Sequence, residues 1–345
     1  MEQTDRSAIE TDWVCGMKYW WNRCEGGQGI VPAEEADYFS EGRDVHADLA
    51  ALLRGTALDA VLDAIPAPAN TTSALEVWTR RRGWLIAFAR YMLPAWQAHY
   101  TSVMAVEQEL FYRHGDLVIA CQPDALLLTR TTPPRVVYRE FKTVSGGGLG
   151  WILSWPYAIQ MHIGLAAVHQ GLGHLPAWGN VIGLEKGQQR EGKLMHPYTW
   201  AWVKHGVWSA RYMKGWDRAP VWDYPEGLSA WVEKLGEATA LRLFPASAPI
   251  ILNQRLLDTM LDRRAIRERE IRAVKDQCQT DLALRSRYFE QRFSQCRPAR
   301  GRECPYLSCC FNETVGGAPT AHGYVVRTPH HSAWTEGEDD RDLET

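Results

Sequence analysis

The chain has 345 residues, enough for one elaborated domain or two ordinary ones. Hydrophobic residues make up 46% and charged residues 23%, proportions that exclude wholesale disorder, collagen and coiled coil. Net charge is −3, so any nucleic-acid surface must be a local basic patch on a molecule that is not cationic as a whole.

Residues 1–13 have neither the basic n-region nor the apolar h-region of a signal peptide. No apolar run approaches the roughly 20 residues needed to span a bilayer. A cytoplasmic chain with no membrane partner is expected. Sixteen Trp call for large aromatic packing surfaces or stacking platforms. Eight Cys in a reducing compartment point away from disulfides and towards metal or redox chemistry.

Tyr19, Trp20 and Trp21 form an aromatic cluster between Cys15 and Cys24, followed by the Gly-rich stretch Gly26 to Gly29. Gly42 to Arg54 reads as a helix, with Val45, Leu49, Leu52 and Leu53 on one apolar face. A second helix is predicted from Ser73 to Met92, stopped by Pro94. The texture then turns to short β-rich runs: Val103 to Leu110, Leu117 to Ala120, Ala125 to Thr129 and Val136 to Phe141, a three- or four-strand antiparallel meander. The Gly-rich loop Gly146 to Gly150 leads to a helix over 156–170. Strand character returns at Val181 to Leu184 and Tyr198 to Trp208. Residues 227–243 and 252–293 read as helical, the second long and strongly charged. A Cys-rich knot fills 296–310, and the acidic tail after Ser332 reads as disordered. These shifts divide the chain into a helical region (1–100), a β-rich core (101–250), a helical and Cys-rich region (251–320) and a tail (321–345).

Pro123-Asp124 opens one strand, and Glu140-Phe141-Lys142 ends a later one. Alternate residues of a strand share a face, so Glu140 and Lys142 point together while Phe141 points into the core. Where the two strands are neighbours, Asp124 meets Glu140 at one edge of the sheet. Two carboxylates and a backbone carbonyl make an all-oxygen site suited to Mg²⁺ or Mn²⁺. Lys142 beside such an ion can orient a water or stabilise charge in the transition state. Taken alone, a Glu-x-Lys at a strand edge is common, and Asp after Pro is ordinary turn chemistry. Glu107 and Glu109 precede Asp124 and read as solvent-facing, with the option of supporting a metal site. His46 lies beside the apolar stripe of the first helix, and Gln160 lies on the helix after the lysine strand.

In order along the chain these residues resemble the PD-(D/E)XK nuclease superfamily, and more narrowly its RecB-like branch of phage exonucleases and iron–sulfur nucleases of CRISPR adaptation. The matching pieces are the Gly42-x-x-x-His46 helix, Pro123-Asp124, Glu140-x-Lys142 and the helix bearing Gln160. The resemblance implies an α/β fold with a restriction-endonuclease-like core, a mixed sheet flanked by helices. It implies that His46, Asp124 and Glu140 ligate metal, that Lys142 is catalytic, and that Gln160 places the substrate phosphate or the lysine. The branch often shows Gln-x-x-x-Tyr, whereas position 164 here is Gly.

Cys296, Cys304 and Cys310 cluster near one end with Cys309 adjacent, and no pair of C-x-x-C motifs marks a zinc ribbon. Three clustered Cys and one distant Cys suit a [4Fe–4S] cluster. The residues alone leave Cys309 or Cys310, and Cys15 or Cys24, as ligands. Cys304-Pro305 through Cys310 resembles the branch's C-P-x-x-x-x-C ending, and Cys15-Gly16-Met17-Lys18-Tyr19-Trp20-Trp21 resembles its C-P-R-K-Y-Y-Y start, with Gly16 in place of Pro. The resemblance thus selects Cys15, Cys296, Cys304 and Cys310. Cys121 reads as a small buried residue. Basic runs at Arg80 to Arg82 and over 263–275 read as a solvated face or a phosphate track, and Trp151 and Trp155 as core or as base-stacking platforms.

The expected function is a metal-dependent DNA nuclease, an exonuclease acting on single strands or DNA ends, in phage or bacterial recombination, repair or DNA processing. Its rivals are a non-cleaving DNA- or protein-binding module on the same fold and a CRISPR spacer-processing nuclease.

Overall fold

The computed structural model describes residues 2–33, 37–67, 72–144, 149–174, 176–186, 243–296, 304–311 and 323–328. The strand expected at Tyr198–Trp208, nearly all of the helix expected over 227–243, residues 145–148 of the Gly-rich loop and the acidic tail lie outside them.

The chain opens with a strand, β1 (Glu2–Asp5), then α1 (Arg6–Val14) and α2 (Gly16–Tyr19), which runs on through a π-helical turn (Trp20–Cys24). After β2 (Ile30–Pro32) come α3 (Asp37–Leu53), α4 (Leu58–Ala64) and α5 (Thr72–Ala87). The stripe of Val45, Leu49, Leu52 and Leu53 on α3 is buried. Each such side chain stabilises the fold by about 1.5–3 kcal/mol.

Pro94 does not stop the helical run. A second π-helical turn (Phe88–Met92) leads into α6 (Leu93–His99), and Pro94 sits in the first turn of that helix. A first-turn residue needs no amide hydrogen, and the wider turn before it accommodates the proline ring.

Five strands follow: β3 (Tyr100–Val106), β4 (Leu110–His114), β5 (Leu117–Cys121), β6 (Ala125–Thr129) and β7 (Val136–Val144). They are not a simple meander. β3 skips the next two strands and pairs antiparallel with β6, which pairs antiparallel with β7. The β4–β5 hairpin leaves this sheet and builds a second one, with β1 parallel to β5. From β7 the chain crosses through α7 (Leu149–Ser154) and α8 (Ile159–Leu172) to β8 (Pro176–Glu185), which pairs parallel with β7 along its whole length. The main sheet is therefore mixed, in the order β3-β6-β7-β8, and helices cover it.

Beyond residue 242 the expected long helix is broken into α9 (Gln254–Val274), α10 (Gln277–Thr280) and α11 (Leu282–Tyr288). Asn253 caps the start of α9, and at the second break Asp281 caps α11, each through a backbone amide three residues on; Asp276 opens α10 with no side-chain cap bond. The last described elements are α12 (Leu307–Phe311) and β9 (Tyr324–Val326), which pairs antiparallel with β2. Among the described residues no helix is long and apolar enough to cross a membrane.

Strand β7 divides two cores. Val137 and Phe141 face α3, α5 and α6, while Val136 and Tyr138 face α8 and α9. Both faces are therefore covered, as a strand with a parallel neighbour requires. The tryptophans serve this packing. Trp84 is fully buried, and Trp96 stacks on Phe141. Arg139 is buried on the α6 side, its guanidinium 4.5 Å from the Trp178 ring and bonded to the Tyr100 hydroxyl at 2.6 Å. Burial lowers its pKa to about 10.

Candidate functional site

Ala125 on β6 pairs with Arg139 on β7, so Asp124, one residue before β6, lies across from Glu140. The expected meeting of the two carboxylates is what the register produces, but β7 runs on to Val144, so Glu140 and Lys142 lie within their strand and do not end it. Like charges placed opposite one another destabilise a sheet, so the arrangement calls for cations or protons to hold it.

Each carboxylate is fastened separately. Asp124 Oδ2 accepts a bond from the Phe141 amide, and Asp124 Oδ1 lies 2.9 Å from His46 Nδ1. His46 reaches the site from α3, with its ring edge-on to Phe141. Burial works against the charged imidazole, but the charge and hydrogen bond of Asp124 outweigh it and raise the His46 pKa. Glu140 is buried at the centre of a short ladder on one face of β7. Lys142 Nζ donates to Glu140 Oε1 at 2.7 Å, and the Tyr138 hydroxyl donates to Glu140 Oε2 at 2.8 Å. The period-2 alternation that puts 138, 140 and 142 on one face makes this ladder possible.

Glu107 corrects the expectation of a solvent-facing side chain. It is half-buried, and its carboxyl, the His46 ring and the Asp124 carboxylate place ligand atoms within 4.8 Å of one another. Its backbone is left-handed at φ 52°, a conformation that costs a non-glycine residue about 1–3 kcal/mol. The Gln122 side-chain amide holds its carbonyl at 3.0 Å. Local sequence carries no signal for that turn. Burial, then the charge of Asp124, raises Glu107 to about 7. A carboxyl ordinarily near 4.5 that titrates near 7 takes up a proton on folding. Its contribution to stability therefore falls as pH rises through that window. The raised His46 acts in the same direction. Metal-free protein is expected to lose melting temperature across pH 4.5–7, and Glu107→Gln to flatten that fall, in a pH series of thermal melts.

Gln160 is buried in the first turn of α8. One turn on, Gly164 explains itself. A Cβ there would meet the Tyr138 ring at 2.5 Å. The tyrosine beside the carboxylates therefore comes from β7, and the helix carries the glycine that admits it. Gly→Ala inside a helix ordinarily gains up to about 1 kcal/mol. Gly164→Ala is expected to lose about 1–3 kcal/mol by overpacking, a reversal of sign that chemical denaturation reads directly.

The basic run Arg80 to Arg82 is engaged within the protein. Arg80 pairs with Glu41, Arg81 with Asp44 and Asp48, and Arg82 with the Leu62 carbonyl. On α9, Arg264 pairs with Asp12 and Glu268. Trp151 and Trp155 pack edge-to-face on each other and against the core on the α8 side. Cys121 is buried in β5.

The cysteines sort into two kinds. Cys310 is raised to about 12, by burial and then by the nearby Cys304, Cys15 and Cys296, against the pull of a 3.2 Å bond from Trp21 Nε1 to its sulfur. The Cys304 amide donates to the Cys296 carbonyl at 2.9 Å. Cys15 is brought in by its neighbour: a Cβ on Gly16 would lie 2.8 Å from the Glu290 amide nitrogen, so only glycine lets the N-terminal segment press onto that backbone. Cys309 instead interacts with Ser308 and the Tyr324 hydroxyl, and Cys24 lies among Lys275, Glu268 and Asp12. Cys304 and Cys310 both feel Cys15 and Cys296, while Cys24 and Cys309 pack in the same hydrophobic cluster as Cys304 and Cys310.

The chain matches no protein-family model and no curated protein.

Proposed function

We propose that the protein is a divalent-metal-dependent deoxyribonuclease with a RecB-like PD-(D/E)XK site and an iron–sulfur staple. The observation that carries this is the convergence of Asp124, His46 and Glu107 beside the Tyr138–Glu140–Lys142 ladder, where the start of β6 meets the middle of β7. An imidazole and carboxylates clustered in this way suit Mn²⁺ or Mg²⁺.

His46, Asp124 and Glu107 are the residues to hold the ion, with Glu140 at its edge. The ion, when bound, acidifies a water and stabilises charge on a phosphoryl oxygen. Glu140 holds the Lys142 ammonium so that its charge faces the reacting phosphate. Gln160 is the candidate to position that phosphate from the start of α8. In the reaction a water oxygen bonds to phosphorus, the P–O ester bond breaks, and the leaving alkoxide takes a proton.

Cys15, Cys296, Cys304 and Cys310 are the proposed cluster ligands. The donor set fits: Cys304 and Cys310 each feel Cys15 and Cys296, and Trp21 supplies an N–H to the Cys310 sulfur, the kind of bond that tunes such clusters. Among the described residues the His46 group is the only set of three ligand atoms within 4.8 Å. The thiols are thus spread wider than a single zinc ion with bonds of about 2.3 Å would hold them. The cluster's role is to tie the two ends of the chain across the core. A thiolate-held cluster suits a reducing compartment, and the proposed location is the cytoplasm.

The exonuclease reading predicts that linear DNA is degraded with Mn²⁺ while covalently closed circular DNA is spared. Relaxation and nicking of the circle at the same rate would replace it with an endonuclease.

A further inference from the structure

A cavity of about 270 Å³ lies apart from the carboxylate site, lined by Arg23, Arg272, Lys275 and Arg327 against Asp5 and Glu268. No residue of its wall belongs to the His46 group or the lysine ladder. Glu268 is occupied by Arg264, which is outside the wall. Asp5 is held by two bonds from Arg23, and Arg327 Nη2 approaches the same carboxylate only to 3.8 Å. One carboxylate therefore serves two guanidiniums.

Both guanidiniums are withdrawn from water. Arg327 is 8% exposed. Its Nη2 and the Arg23 Nε are buried with no hydrogen-bond partner. Burial, and then the charge of Arg23, lowers the Arg327 pKa, as expected of like charges that face each other with too little counter-charge. A buried N–H without an acceptor is costly, and so is a buried guanidinium that shares its one carboxylate at 3.8 Å with a second, so the fold keeps a place for an anion.

We infer that this cavity is a binding site for a phosphate monoester, with Arg327 and Arg23 donating to its oxygens and Lys275 and Arg272 adding charge. A phosphate offers up to two negative charges and several acceptor oxygens to donors on separate residues, which guanidiniums bind well. The volume approaches the lower end of small-ligand pockets, about 300 Å³, so there is room for an organic group on the phosphate, such as one nucleotide unit. The inference does not rest on hydrolytic activity.

The test uses the full-length protein without added divalent metal, by thermal shift and calorimetry. The probes are inorganic phosphate, adenosine 5′-monophosphate, a short 5′-phosphorylated deoxyoligonucleotide and its 5′-hydroxyl twin. Phosphate-bearing probes are expected to bind saturably and raise the melting temperature. Arg327→Gln is expected to weaken them at least about ten-fold, and Lys275→Gln several-fold. Ligand-free Arg327→Gln should melt no lower than wild type, because a buried charge has gone whose one carboxylate, Asp5, is already held by Arg23. Preference for the phosphorylated oligonucleotide over the mononucleotide identifies a strand end as the source; equal binding identifies a free nucleotide. Absence of binding by every probe, or equal affinity in wild type and both variants, overturns the inference, whether or not the protein cuts DNA.

Discussion

Lys142→Ala is expected to lower the rate of DNA cleavage by about a thousand-fold, the scale of losing a preorganised charge at a reacting centre. The side chain is a third exposed and its ammonium is fixed by Glu140 Oε1 at 2.7 Å, so it is both held and open to substrate. Removing it leaves Glu140 with its Tyr138 bond and leaves His46, Asp124 and Glu107 in place. Mn²⁺ binding by calorimetry and DNA binding by fluorescence anisotropy should therefore change by less than a few-fold while kcat falls. A parallel loss of Mn²⁺ affinity would recast Lys142 as part of the metal scaffold.

With the proposed cluster bound, Cys310→Ser is expected to abolish the brown colour such a cluster gives and lower the melting temperature by roughly 3–7 °C, if the staple is comparable to a disulfide at about 2–5 kcal/mol. The thiol lies with Cys304, Cys15 and Cys296 and receives the Trp21 N–H. Cys309→Ser is the internal control. Its sulfur faces Ser308 and Tyr324, so colour and iron content should stay at the wild-type level. Anaerobic purification, an absorbance spectrum and iron analysis of the two variants read both results. A colourless wild type carrying one zinc per chain would remove the iron–sulfur assignment and leave the site residues untouched.

Much of the site is legible in the sequence because strands have an exact period. Glu140 and Lys142 share a face by that period alone, and a two-strand register suffices to bring Asp124 opposite. His46 is visible beside its apolar stripe because α3 buries one face against the core. Glu107 is hidden because its position depends on a left-handed turn at a non-glycine residue, which local propensity does not favour. Tyr138 is hidden for another reason. It sits in an apolar strand run and reads as core, and only its 2.8 Å bond to Glu140 Oε2 shows that its hydroxyl faces a carboxylate, with Gly164 leaving room for the ring.

The fold diverges from expectation where pairing is non-local. The β-rich runs read as three or four strands, with Val103 to Leu110 as one; the structure splits that run into β3 and β4, and the β4–β5 hairpin leaves to meet β1, more than a hundred residues upstream. Pro94 punctuates a helix on local rules, yet the π-helical turn before it carries the chain through. Arg80 to Arg82 look like an anion track until Glu41, Asp44 and Asp48 are seen to meet them.

The central claim is that Asp124, Glu140 and Lys142 cut DNA with a divalent ion. The most direct measurement is cleavage of an end-labelled linear duplex and its single strand, with Mn²⁺ or with EDTA, by wild-type protein and Lys142→Ala purified in parallel. The account predicts a product ladder from the wild type that requires Mn²⁺ and is missing from the variant. An intact substrate with folded, DNA-binding, Mn²⁺-loaded wild-type protein would contradict it and leave a fold that holds DNA without cutting it.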